Sequence, residues 1–350
     1  DWIIEAVIER LDIKKALYQR LHETINTDCI VSSNTSTIPI RLLVEDMPTE
    51  FRQRFAITHY FNPVRYMRLM ELVRGEQTKS AVIKKLADFN DRILGKGVVR
   101  CSDTPGFLGN RVGVFALQVG INEAINCGLS VEDADAIMGR PMGIPKTGVF
   151  GLYDLIGIDL MADVVASLSQ ILPDGDAFHG VAGDNRLISS MISNGLTGDK
   201  GKGGFYKNSA DGTKLVLQIE KGAFAGSPNY AQATKLTPKP VELALKALAT
   251  QQEALKPLLE GENKYSNFAR RVLARILAYS ASLVPNVTEN PQDIDDAMKL
   301  GFNWQRGPFE IMDAIGSEMM HDLLAAVDIP IPEVLKNGNL FYKVDGSALT

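Results

Sequence analysis

Short apolar runs at residues 2–7, 29–32, 55–58, 69–73 and 98–101 punctuate the first hundred residues. Each has the length of a buried strand. Between them lie helical stretches. Residues 9–25 carry Leu11, Ile13, Leu17, Leu21 and Ile25 as a helical stripe, 37–47 have Pro39 near their start, and 78–94 follow the fourth run. Strands alternating with helices predict a mostly parallel sheet, with ligands gathered at the carboxyl ends of its strands. Ser36 and His59 both follow predicted strands and so fall at that edge. At Asp103-Thr104-Pro105-Gly106 the pattern becomes helical, with helices at 107–127 and 130–138 and again from Gly151. Ser130 is placed to cap the second of these. Residues 195–206 are rich in glycine and lysine, 209–239 read as a polar, proline-bearing linker, and helices resume at Val241.

The second half contains a repeat. The segment from Val131 to Met138 aligns with that from Pro291 to Met298. Arg111 and Val112 match Arg271 and Val272 upstream. Gly148, Asp154 and Gly157 match Gly307, Asp313 and Gly316 after one deletion. Two copies of one helical unit can pack on each other as a pseudo-dimer; chance similarity of two amphipathic helices is the bland alternative.

Composition narrows the class. With 350 residues, 45% apolar and 23% charged, the chain has the make-up of a globular protein of two or three domains. A net charge of -5 without any Lys/Arg-rich run argues against a nucleic-acid partner. No apolar stretch reaches the length of a membrane span. Cys29, Cys101 and Cys127 sit apart with no CxxC spacing, so we expect reduced, buried thiols in a reducing compartment such as the cytoplasm, and no metal site.

The chemistry centres on His59 and Glu71. A histidine at the end of one strand and a carboxylate on the next can face each other, with the acid holding the imidazole in one tautomer for general-base work. A lone strand-end histidine is more often a satisfied structural residue, so this pair alone does not decide. His22, His179 and His321 have no acidic partner in a shared motif and read as structural or surface residues.

Further motifs run in order along the chain. They are residues 1–14, Ser33-Asn34-Thr35-Ser36, His59-Tyr60-Phe61-Asn62-Pro63, Glu71-Leu72-Val73-Arg74-Gly75, Asp103-Thr104-Pro105-Gly106-Phe107 with Asn110-Arg111, and Gly198-Asp199-Lys200 to Gly204-Phe205-Tyr206. In this set the chain resembles the L-3-hydroxyacyl-CoA dehydrogenases, in the long two-copy form that is often fused to an enoyl-CoA hydratase. The resemblance implies an incomplete Rossmann-type parallel sheet domain followed by two related all-helical domains, bounded at 1–102, 103–207 and 240–350, with a linker at 208–239. It implies oxidation of an L-3-hydroxyacyl-CoA to the 3-oxoacyl-CoA in fatty-acid β-oxidation, with NAD as hydride acceptor. His59 would be the base and Glu71 its partner acid. Ser36 would lie near the substrate oxygen and the nicotinamide ribose, and Asn110 would face the substrate. Glu9, Lys14, Asn62 and Lys200 fall where the family contacts NAD.

Plainer roles exist for each. Ser36 and Asn34 could cap the following helix, Asn110 could be a cap or surface residue, and Glu9 with Lys14 could be an exposed helical pair. Lys200 lies in a basic turn, with Gly201 where the family often has a hydroxyl residue. In the repeat Arg270 takes the place of Asn110, so the second copy is expected to be scaffold. The family's Gly-rich phosphate loop is absent, and the chain opens directly on a strand pattern. It is therefore expected to be a fragment, inactive alone, of a larger β-oxidation protein. Two rivals remain: a lysine-catalysed β-hydroxyacid dehydrogenase, and a non-enzymatic NAD-binding structural protein of the same fold. The His59/Glu71 pair speaks against the first, and the joint presence of His59, Glu71, Ser36 and Asn110 against the second.

Overall fold

The five apolar runs form one five-stranded sheet in a computed structural model that describes residues 1–183, 186–219, 227–234, 236–336, 338, 341–342, 344–345 and 348–349. The strands are β1 (Trp2–Glu5), β2 (Ile30–Ser33), β3 (Phe55–Tyr60), β4 (Leu69–Arg74) and β5 (Gly97–Cys101), adjacent in chain order. β1, β2 and β3 are parallel, β4 runs against β3, and β5 is parallel to β4. The carboxyl ends of the first three strands and the amino end of β4 therefore share an edge, and Glu5, Ser33, His59 and Glu71 all fall on it. Helices α1 (Leu11–Thr24), α2 (Ile40–Leu43), α3 (Thr49–Arg52) and α4 (Ser80–Arg92) complete the local pattern. On one face Val82, Ile83 and Leu86 of α4 pack over Ile30, Ala56, Met70 and Leu72. Near α1 and α3, Tyr18, Phe51 and Phe55 form an aromatic cluster.

The helix expected over 37–47 is one turn, and a second turn follows it. Pro39 and Pro48 each stand just before a helical turn. Proline cannot supply the amide of a continuing helix, so the segment is cut in two. The first amides of α2, those of Ile40 and Arg41, go to the carboxylate of Asp103.

Beyond the sheet run α5 (Gly109–Asn126), α6 (Val131–Ile137), α7 (Phe150–Ile156), α8 (Ile158–Ile171), α9 (His179–Ala182) and α10 (Arg186–Ser193). They are followed by α11 (Lys239–Ala249), α12 (Leu255–Leu259), α13 (Lys264–Ser282), α14 (Pro291–Gly301) and α15 (Pro308–Ala325). The expected linker is not wholly unstructured. Strands β6 (Tyr206–Asn208), β7 (Lys214–Leu217) and β8 (Tyr230–Gln232) make a small antiparallel sheet. Runs of three or four residues are too short to show alternation, which is why the pattern hid them. Residues 220–226 and 235 of that linker lie outside the described residues.

Packing divides the chain into two units, residues 1–112 with 282–302 and residues 113–281 with 303–350. Residues 282–302, expected in the second helical copy, thus belong with the sheet. The cause is α14, which buries Ile294, Ala297 and Met298. It lies so close that a Cβ on Gly97 would stand 2.3 Å from Leu300, and one on Gly301 would stand 2.5 Å from Leu69. In the other unit α5 and α13 run antiparallel. Phe115 stacks on Tyr279 with centroids 4.0 Å apart, and buried Glu123 pairs with Arg271 (2.5 Å) and Arg275 (2.7 Å). No helix among the described residues is long and apolar enough to cross a membrane. Cys29 and Cys101 are buried free thiols, and Cys127 is half-buried rather than buried as expected.

Candidate active site

His59 and Glu71 are direct partners in the β3/β4 register, so the pleat places both side chains on one face. Nδ1 of His59 lies 2.7 Å from Oε2 of Glu71, and the carboxylate is fully buried. Its other oxygen, Oε1, accepts the amides of Leu108 (3.0 Å) and Gly109 (2.7 Å), where α5 begins. A helix start offers unpaired amides and favours negative charge, and the Cys101 thiol adds a weaker bond at 3.9 Å, so four donors meet this anion. Nδ1 is engaged, leaving Nε2 as the nitrogen that can take a proton. Phe61 and Phe107 flank the imidazole, with centroids 4.7 Å and 5.8 Å away.

The turn after β2 is held from two sides. Oδ1 of Asn34 accepts the amide of Tyr60 at 2.9 Å, tying the turn to the end of β3 beside His59. Oε1 of Glu9 accepts the Thr35 hydroxyl, the amides of Ser36 (3.1 Å) and Thr37 (3.3 Å), and the Thr37 hydroxyl. Burial raises the Glu9 carboxyl, but the bonds from Thr35, Lys14 and Thr37 outweigh it and hold it below the ordinary value. The cap reading of Ser36 and Asn34 does not describe this turn, because α2 is capped by Asp103. The Ser36 hydroxyl is half-buried and bonds to no described residue.

Lys14 is not on an exposed pair. It is 1% exposed, with Nζ 2.7 Å from Glu5 Oε1 and 3.2 Å from Glu9 Oε2. Glu5 also accepts the Tyr18 and Ser33 hydroxyls and the Val7 amide. One buried carboxylate thereby joins the ends of β1 and β2 to α1. Asn110 stands one residue beyond Gly109, half-buried, its amide free among the described residues. Asn62 is exposed just past β3. Lys200 belongs to the other unit, where it pairs with Asp159 at 2.6 Å. The first unit thus holds His59, Glu71, Ser36, Asn110, Asn62, Glu9 and Lys14, whereas Lys200 belongs to the other unit.

Residues 1–104 match the family model for the NAD-binding domain of 3-hydroxyacyl-CoA dehydrogenase, and residues 106–208 and 268–336 match that for its C-terminal domain. The chain belongs to the 3-hydroxyacyl-CoA dehydrogenase family. A protein of Rickettsia felis named as a fatty acid oxidation complex trifunctional enzyme is 37% identical over 99% of this chain, which covers 46% of that relative. A Bacillus subtilis protein named as a 3-hydroxyacyl-CoA dehydrogenase is 34% identical over 98% of the chain, which covers 43% of it. The chain thus spans about half the length of these curated relatives. The crystal structure of 3-hydroxybutyryl-CoA dehydrogenase from Escherichia coli shares the fold, with a TM-score of 0.66 at 23% identity over 96% of this chain and 80% of that one.

For a 3-hydroxyacyl-CoA dehydrogenase the edge offers suitable groups for NAD, whose hydroxyls and carboxamide need hydrogen-bonding partners. The Ser36 hydroxyl bonds to no described residue, and Asn62 is exposed just past the end of β3. Three residues that build this strand edge carried no such part in the sequence reading: Glu5, Asn34 as a tie to β3, and Asp103. Asn34 and Asp103 lie inside motifs already singled out, and that was the available signal. Glu5 gave none, since one carboxylate at a strand end looks like a strand's polar exit.

Proposed function

We propose that this chain carries the dehydrogenase step of fatty-acid oxidation, converting an L-3-hydroxyacyl-CoA to the 3-oxoacyl-CoA. The observation that supports it most is the His59–Glu71 bond of 2.7 Å, with the carboxylate anchored by two helix-start amides. In this reading Nε2 of His59 takes the hydroxyl proton, and Glu71 stabilises the imidazolium that forms. The Ser36 hydroxyl and the Asn110 amide donate to the oxygen that becomes a carbonyl. NAD, when bound, accepts the hydride from C3. Glu9 and Lys14 serve it by fixing the Ser36 turn, Asn62 lies open to it, and Lys200 is the member of the set that the other unit supplies. The trifunctional relatives support an enoyl-CoA hydratase joined or associated in the whole protein. The buried free thiols Cys29 and Cys101 favour a reducing setting, the cytoplasm.

We also propose that the two helical copies pair as a dimer within one chain. With Arg111 aligned to Arg271, Leu117 is the counterpart of Leu277. The α5/α13 contacts run symmetrically about those two, from Phe115–Tyr279 on one side to Glu123–Arg271 on the other.

Acetoacetyl-CoA and NADH supplied to the full-length protein test the activity through loss of NADH absorbance. His59→Gln is expected to lower kcat by roughly 10²–10⁴-fold with little change in NADH affinity. Near-normal turnover in that variant overturns the assignment, and no turnover in the unmodified protein favours the non-enzymatic reading.

A further inference from the structure

We propose that the second helical copy positions the catalytic base, through Phe302 acting on Phe61. This rests on His59 being the base, as argued above. A general base must hold one ring nitrogen on its acid while the other meets the substrate, so rotation of the imidazole has to be restrained by packing. The restraint nearest the ring is Phe61, at 4.7 Å and 56°. Phe61 is itself half-buried and follows the last residue of β3, so something must hold it in turn.

Two elements do. On one side is Gly109, where a Cβ would lie 2.7 Å from Cζ of Phe61. On the other is Phe302, edge-on at 6.3 Å and 69°. Phe302 immediately follows α14, and Gly301 at the end of that helix packs on Leu69. The same Leu69 side chain lies 3.2 Å from where a Cβ on Gly109 would stand. The end of α14 therefore supports both halves of the pair. It reaches the imidazole through Phe61, and the carboxylate through Leu69 and Gly109, whose amide binds Glu71 at 2.7 Å. α14 is in turn fixed on the sheet by Leu300 over Gly97. The copy that lacks the substrate-facing amide is thus not idle scaffold, because its α14 ends beside the site of the first unit.

The test is Phe302→Ala in the full-length protein, read by acetoacetyl-CoA reduction and by NMR of the histidine rings. The His59 resonance is identified by its loss in His59→Gln. Phe302→Ala is expected to lower kcat about 10-fold, since small misplacements of a reacting group are costly. The KM values and the NADH affinity should move less than about twofold. The His59 ring resonance should shift as Phe61 loses its support. Phe302→Leu, which keeps an apolar side chain against Phe61, should restore most of both. If Phe302→Ala does not fold, Phe302→Val carries the same expectation in smaller measure. A folded Phe302→Ala or Phe302→Val protein with normal kcat and an unmoved His59 resonance overturns the proposal. A protein with no dehydrogenase activity at all refutes the proposed reaction instead, and the His59 resonance then decides the positioning alone.

Discussion

The two aligned helical segments share a carboxylate clamp and differ at the starts of their long helices. In the first, Asp154 accepts the amides of Phe205 (2.8 Å) and Tyr206 (2.7 Å); in the second, Asp313 accepts those of Phe341 and Tyr342, both at 2.9 Å. The starts of the long helices are unlike. α5 begins at Gly109, and the amides there are free to bind Glu71. α13 begins at Lys264, well before the residue that matches Gly109, and its first amides go to Asn263. The matching amides therefore fall inside a helix. Arg270, the counterpart of Asn110, gives its guanidinium to the carbonyls of Leu259 (2.6 Å) and Gly261 (2.9 Å). Clamps that satisfy buried backbone are costly to lose and persist in both copies. The anchoring of Glu71 depends on where a helix starts, and that start is present in one of the two segments only.

The strongest break of this comparison is to remove the second copy, residues 240–350. If it were an independent duplicate, the remaining residues would stay folded and monomeric. We expect instead loss of soluble protein or aggregation. Removing α14 uncovers the sheet at Leu69 and Gly97, and removing α13 leaves Glu123, 3% exposed, without its two arginines. Stranding one buried charge alone costs about 3–5 kcal/mol. Light scattering and circular dichroism decide, and a soluble, folded monomer would refute both the covering role of α14 and the internal pairing.

Exchanging the differing residues sharpens the comparison without unfolding anything. Asn110→Arg, which gives the first copy the residue of the second, is expected to lower kcat about 10²-fold, the scale of losing one preorganised donor. Arg270→Asn, the reverse exchange, should leave kcat unchanged and cost about 1–3 kcal/mol through the two carbonyls left unpaired. Steady-state kinetics and thermal melts on both variants check this. A loss of kcat in Arg270→Asn equal to that in Asn110→Arg would show that the copies share the chemistry.

How much of this could be read along the chain follows from the distance between partners. The His59/Glu71 pairing was legible because the two strands are neighbours and their apolar runs set the register. The other half of the same carboxylate was not, since Leu108 and Gly109 lie far along the chain and backbone amides leave no mark in a sequence. The burial of Lys14 was hidden for a related reason. Glu9 and Lys14 look like an exposed helical pair, yet α1 starts only at Leu11, and Lys14 turns inward to Glu5. The aligned segments could be read along the chain, but not the association of α14 with the sheet. An amphipathic stripe says that a helix buries a face without saying against what.

The last expected effect concerns the shared clamp itself, whose two versions differ in burial. Asp154 is 3% exposed, whereas Asp313 is half-buried. Burial pushes the Asp154 carboxyl up to about 6, against the pull of the Tyr206 and Phe205 amides, with Asp199 adding to the rise. A carboxyl raised in the folded state holds its proton more tightly there than in the unfolded chain. Its contribution to stability is therefore fully present below the ordinary value near 4, falls as pH rises from about 4 to about 6, and is flat above. A tenfold difference in proton affinity between the folded and unfolded states corresponds to about 1.4 kcal/mol, so this one group should remove roughly 2–3 kcal/mol across that window. Asp154→Asn cannot titrate. It should start less stable, because an amide oxygen cannot serve both backbone donors as well as a carboxylate does. Its melting temperature should then decline less than that of the unmodified protein between pH 4 and 6. Melts at half-unit steps across that range measure the difference, and an equal slope in the two proteins would mean that the Asp154 carboxyl titrates alike in the folded and unfolded chain and that the deeper burial of this clamp has no consequence for its titration.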